Sequence, residues 1–201
     1  RVGDPSADVR QWLLTNHRAT LCTTSAKDSI EGYPFGSIVP FAIDAQGKPY
    51  IMIADIAAHT ANLKQDSRAA LMVSDPAAVG DPQASWRITL IGDMRRILVK
   101  GNDHKHKSSA LEISADEHDD LHQRYVERVP QADSYIKQHD FYYWRMEDII
   151  SVRYIAGFGR ICWIDGAEIL RDPLHGGLDR AAQPAIDHMN EDHQDNMIEM
   201  C

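Results

Sequence analysis

The chain has 201 residues, 43% of them hydrophobic and 25% charged, with Gly 12 and Pro 9; this argues against collagen-like, coiled-coil and low-complexity classes and leaves room for one or two domains. Lys+Arg 21 against Asp+Glu 30 gives a formal net charge of −9, a poor match to nucleic acid or anionic membrane, both of which need clustered cations. No apolar run approaches the roughly 18 residues of a membrane span, and no secretory signal pattern is visible. A cytoplasmic protein is expected, with Cys22, Cys162 and Cys201 as free thiols, since no C-x-x-C spacing occurs.

In chain order, residues 7–18 place Val9, Trp12 and Leu13 at helical spacing, with Ser6 or Asp4 available as a cap. A short strand is expected at 19–25, then an alternating strand at 37–44 and a further strand at 49–55, joined by the turn-forming AQGK as a hairpin. A short helix at 59–68 precedes a buried strand at 69–75. The polar stretch 76–85 leads into a long strand, 86–100, bent at Gly92. Ser114 and Glu117 form an S-x-x-E capping box ahead of a helix at 115–128, and Pro130 opens another at 131–138. Strands are expected again at 141–147, 150–155 and 159–165, with the turn AGFG between the last two. Strands in mostly sequential order around a helical insertion favour an antiparallel barrel, because parallel pairs need crossovers.

Three segments have the residue types that chemistry needs. His59-Thr60-Ala61-Asn62-Leu63-Lys64 opens a helix directly after a strand. Its free backbone N–H groups and partial positive charge suit a phosphate, with Thr60, Asn62, His59 and Lys64 adding donors or charge. The same residues also read as an ordinary helix cap. Alternation puts Arg87 and Thr89 on the strand face opposite Trp86, Ile88 and Leu90, where Arg87 meets either a ligand anion or an Asp or Glu of a neighbouring strand. Between Arg153 and Trp163, the glycines flanking Phe158 permit either a plain hairpin or the close approach of backbone to a planar ligand.

Ten histidines are dispersed along the chain. His118 and His122 lie one helical turn apart, as do His188 and Asp192, but no H-E-x-x-H or Cys/His set accompanies them, so no metal site is expected. In the last segment Ile186, Met189, His193 and Met197 share a stripe that reads as core-facing. No Gly-x-Ser-x-Gly, P-loop or dinucleotide glycine pattern occurs.

Taken together, YPFGSIVPFAID, GKPYIMIADIAAHTANLKQDSRAALMVSD, WRITLIGD and DFYYWRME…RYIAGFGRICWI resemble the pyridoxamine-phosphate-oxidase-like FMN-binding split barrels, and more narrowly their haem-utilisation, haem-oxygenase-like branch. HMNEDHQDNM at 188–197 resembles the start of that branch's small C-terminal α/β domain. The resemblance implies an α+β, mainly β fold: a split-barrel domain at 1–165, a linker at 166–183, and at 184–201 the first helix of a truncated second domain. It implies a homodimer with ligand sites at the subunit interface. It implies FMN with its phosphate near Ala58–Asn62 and its ring near Ser37–Val39 and Ile51–Ala54. On that match the cofactor-binding residues are Ser37, Ile53, Ala54, His59, Thr60 and Asn62, with Arg87 and Thr89. In the haem branch the ligand is haem, degraded to release iron.

The sequence departs from the amine-oxidising members, which surround the phosphate with several Arg and Lys residues; here stand His59, Thr60 and Lys64. No motif assigns a haem-ligating histidine or a catalytic residue. The expected function is haem utilisation through redox chemistry at the dimer interface. The alternatives are an FMN-dependent oxidase or reductase of a small molecule and a non-catalytic tetrapyrrole-binding or regulatory protein.

Overall fold

The computed structural model describes residues 4–101, 110–136 and 140–170. Helix α1 spans Pro5–Thr15, starting and ending earlier than its apolar spacing suggests. Proline suits the first helical turn, and Asp4 caps it by accepting the Ser6 N–H at 3.0 Å. Asn16 leaves the helix in an extended conformation. Val9 and Leu13 then enter the core, while Trp12 stacks between Trp86 and Tyr154.

Eight strands follow: β1 (Arg18–Thr24), β2 (Pro34–Ile43), β3 (Pro49–Ala54), β4 (Arg68–Ser74), β5 (Trp86–Val99), β6 (Leu111–Ile113), β7 (Phe141–Ala156) and β8 (Ile161–Asp165). Their order is β6-β5-β4-β1-β2-β3-β7-β8, and an added β5–β7 pairing closes β1, β2, β3, β7, β5 and β4 into an antiparallel barrel. Strand β6 runs parallel to β5 and β8 antiparallel to β7. The expected split barrel is therefore the fold.

The two strands expected at 141–147 and 150–155 are one continuous strand, β7. Its polar middle, Glu147-Asp148, does not break it. Instead the ladder to β5 shifts register between Ile91 and Gly92 and again between Asp93 and Met94, so both strands bend together.

Helix α2 spans Ala58–Gln65, α3 Ala115–Arg128 and α4 Ala132–Tyr135. The Ser114 hydroxyl accepts the Glu117 N–H at 3.1 Å, which is one half of the expected capping box; the Glu117 carboxylate goes to Arg145 at 3.1 Å instead. Arg145 is buried and also pairs with Asp44 at 3.2 Å and Glu147 at 2.7 Å, so one guanidinium joins α3 to the barrel wall. No helix among the described residues is long and apolar enough to cross a membrane.

The core has two parts. Inside the barrel lie Leu21, Val39, Phe41, Ile51, Leu71, Ile88, Leu90 and Val152, each contributing about 1.5–3 kcal/mol on burial. Outside it, Tyr50, Met52, Leu121, Tyr125 and Tyr143 fill the space under α3.

The linker expected from 166 begins inside the fold. Gly166–Ile169 forms a 3₁₀ turn with a capping box from Asp165 and Glu168, and Ile169 is buried in the barrel core. Gly166 lies directly against the Ile149 carbonyl, where there is no room for a Cβ. Residues 171–183 of the expected linker and the helix expected at 184–201 lie outside the described residues.

Candidate functional site

Strands β2 and β3 pair only between Phe41–Ile43 and Pro49–Ile51. Beyond those residues they diverge. Pro34–Pro40 keep only β1 as a strand partner, and Met52–Ala54 keep only β7, so two facing edges open into a split.

Helix α2 sits at this split because Leu63 anchors it in the barrel core. The Thr60 hydroxyl donates to the Ala54 carbonyl at 2.7 Å. Asn62, almost fully buried, donates to Thr23 Oγ1 at 2.9 Å and accepts the Ala26 N–H at 2.8 Å. These two side chains spend their polar groups on holding the helix to the barrel. His59 is different: its Nδ1 lies 3.2 Å from Ser37 Oγ across the split. Burial holds its imidazole below the ordinary value, and the positive end of α2 also disfavours the cation. Ala57, the N-cap, offers no side-chain cap, which leaves the start of α2 open to an anion.

The fold thus brings together Ser37, Ala54, His59, Thr60 and Asn62 around the α2 end of the split, whereas the Ile53 side chain packs into the barrel core. Arg87 and Thr89 are not with them. They project from the outer face of β5, and Arg87 donates to the carbonyls of Gln83 at 2.8 Å and Ser85 at 3.2 Å, in the loop before its own strand.

A second charged group near α2 had no local sequence signal. Asp55 Oδ1 lies 2.8 Å from Lys64 Nζ and 3.3 Å from Arg96 Nη1. Arg96 is buried with its guanidinium 3.5 Å above the Tyr142 ring, and its Nε has no hydrogen-bond partner among the described residues. Arg96 stands in the otherwise unremarkable strand run MRRILV, and only the β5–β7 pairing brings it to Tyr142.

The outer face of the barrel carries a row of cross-strand partners: Ile38, Thr20, Met72, Thr89, Arg153 and Trp163. Ile38 is 66% exposed and Trp163 60%, although both are large and apolar. Arg153 lies 5.0 Å from the Trp163 ring centre, and the neighbouring Phe158 turn is exposed, with Gly157 and Gly159 at positive φ. Cys22 and Cys162 are free thiols, each partly buried.

His118 and His122 do not approach the split. His122 Nδ1 lies 2.8 Å from the Tyr143 hydroxyl, and His118 packs edge-on to the same ring. Among the described residues no group of three or more His, Cys, Asp or Glu could hold a metal ion.

Comparison with known proteins places this geometry. The family model described as "CREG, beta-barrel" matches residues 4–170. The chain is 29% identical over 197 residues to the chloroplastic non-canonical haem oxygenase HOZ of Arabidopsis thaliana, covering 96% of this chain and 54% of that protein. It therefore spans about half the length of the curated relative it matches. Among solved structures, a haem-binding protein from Mycobacterium smegmatis superposes with a TM-score of 0.68 at 26% identity, covering 98% of this chain and 72% of that one. A pyridoxinephosphate oxidase family protein from Clostridium acetobutylicum shares the fold, with a TM-score of 0.55 at 12% identity over 83% of this chain and 99% of that one.

Proposed function

Because this chain belongs to the CREG β-barrel family, we propose that it is a haem-utilisation protein that binds haem in the split beside α2 and degrades it with release of iron. The observation that carries this reading is the likeness, along nearly the whole chain, to a haem oxygenase and to a haem-binding protein. What supports a haem here is the imidazole of His59, held below its ordinary value by burial, and the β2 and β3 edges that pair with no further strand among the described residues. Bound haem would supply the redox-active iron. The chain's own part is to hold the macrocycle and shield it from water.

A second copy of this chain completes the site. The row from Ile38 to Trp163 is apolar or uncharged at every position except Arg153 and runs across six strands. Exposed apolar side chains such as Ile38, Met72 and Trp163 on the outer barrel wall suit burial against a second copy. Ile38 lies on β2, next to Ser37, so that interface would border the split.

FMN is the second reading, favoured by the uncapped start of α2, which suits a phosphate, and by Ser37 beside it. Titration of the purified chain with ferric haem and, separately, with FMN distinguishes the two. Haem binding is expected to give a shifted Soret band, and ascorbate in air is expected to bleach it and release iron. A stable band under ascorbate would leave a haem-binding protein without turnover. Flavin binding with quenched fluorescence and no Soret shift would replace the haem reading with the FMN one.

A further inference from the structure

We infer that this chain holds a small monovalent anion, such as chloride, at the edge of the barrel core, between Arg96 Nε and the indole N–H of Trp144. The inference does not depend on what the split binds. Its first support is a pair of donors with no acceptor. Arg96 Nε and Trp144 Nε1 are both buried, and neither has a hydrogen-bond partner among the described residues. Arg96 is 8% exposed and Trp144 3%. Buried N–H groups are rarely left so, because nothing then offsets the loss of their water.

The second support is that the two donors share one place. Arg96 and Trp144 are direct partners in the β5–β7 ladder, so their Cβ atoms stand about 5 Å apart and both side chains leave the same face. Trp144 lies in the barrel core, and Tyr142 packs against that core with the Arg96 guanidinium 3.5 Å above its ring. Such stacking occupies the flat face of the guanidinium and leaves its edge, which carries Nε, for an acceptor.

The third support is charge. Arg96 and Lys64 share the single carboxylate of Asp55, whose Oδ1 lies 3.3 Å from Arg96 Nη1 and 2.8 Å from Lys64 Nζ. These three side chains together carry one positive charge in excess, and its buried end is Arg96. An uncompensated buried guanidinium is costly. A water could accept from both N–H groups but would leave that charge. A monovalent anion accepts from both, has no donor of its own to satisfy, and cancels the excess. Held there, it would join β5 and β7 to Asp55 and, through Lys64, to α2.

The test uses the full chain at fixed ionic strength, with sodium chloride replacing sodium gluconate step by step. The melting temperature is expected to rise and saturate, by roughly 3–6 °C at about ten times the dissociation constant. Trp144→Phe removes the indole donor, and Arg96→Met removes both the Nε donor and the excess charge. Each variant is compared with itself in the two salts, so its own stability does not enter, and each should lose most of the rise. Arg68→Gln, at an exposed position, should keep it. Crystals grown in sodium bromide are expected to show an anomalous peak within hydrogen-bond distance of both nitrogens. A wild type indifferent to chloride overturns the inference. An equal rise in all the variants does so too, as a general salt effect, and so does a water at that position in the bromide crystals.

Discussion

Gly92 of β5 lies so close to the main chain of β7 that a Cβ built on it would stand 2.1 Å from the carbonyl oxygen of Asp148. The contact falls where the β5–β7 ladder shifts register, so the missing side chain is what lets the two longest strands bend together. Gly92→Ala should force the strands apart and cost about 3 kcal/mol, the upper range for overpacking. For a chain of this size that lowers the melting temperature by roughly 6–12 °C, measurable by calorimetry. A melting point within a degree of wild type would show that the bend does not depend on the glycine.

Asn62→Ala should act on stability before it acts on any ligand. The substitution leaves the buried Ala26 N–H and the Thr23 hydroxyl without their partner, at about 2–4 kcal/mol for the two groups. Urea unfolding measures this directly. Ligand affinity, taken at a temperature where the variant is fully folded, is expected to stay near wild type.

Arg145→Met should be strongly destabilising, by about 3–5 kcal/mol, because it strands buried Asp44 together with Glu147 and Glu117. Adding Asp44→Asn to the same chain should recover part of the loss. A double variant no more stable than the single one would remove the charge argument.

Two imidazoles set a pH dependence. Burial lowers both His59 and His118, with Asp119 opposing the shift at His118. Below about pH 6.5 the unfolded chain takes up protons that these folded sites refuse. Their contribution is therefore complete above that value and lost as the pH falls toward their folded values. The urea midpoint should drop between pH 7 and pH 5.5, and His118→Asn should make that drop shallower.

If two copies meet through the outer barrel wall, charge at either end of the row from Ile38 to Trp163 separates them. Ile38→Lys and Trp163→Asp, both at exposed positions, should convert a dimer into a folded monomer in light scattering and lower haem affinity at the same time. Dimers of unchanged mass in both variants would place the interface elsewhere.

Local patterns made much of this legible. Alternation marked the strands on either side of the AQGK turn, Ser114 marked the start of α3, and Gly92 marked the bend. The run from His59 to Asn62 was recognisable as a helix start after a strand, which is where α2 stands. What stayed hidden depends on distant partners. Asp148-Ile149 read as a break between strands because their ladder partners, Asp93 and Gly92, come from β5, far upstream, and the start of the expected linker hid a turn that Ile169 fastens to the core.

The sequence by itself determined the class of fold, the acidic balance and the neighbourhood of His59, since each follows from spacing and composition within a short window. Only the tertiary structure decided what the site residues are free to do. It committed Thr60 and Asn62 to holding α2, sent Arg87 to its own loop, gathered Asp55, Lys64 and Arg96 into one charged group, and left His59 facing the split with Ser37 behind it. The physical reason is that a polar side chain becomes available to a ligand only after the buried backbone and its neighbours have taken the hydrogen bonds they need, and those claims come from strands far apart in the chain.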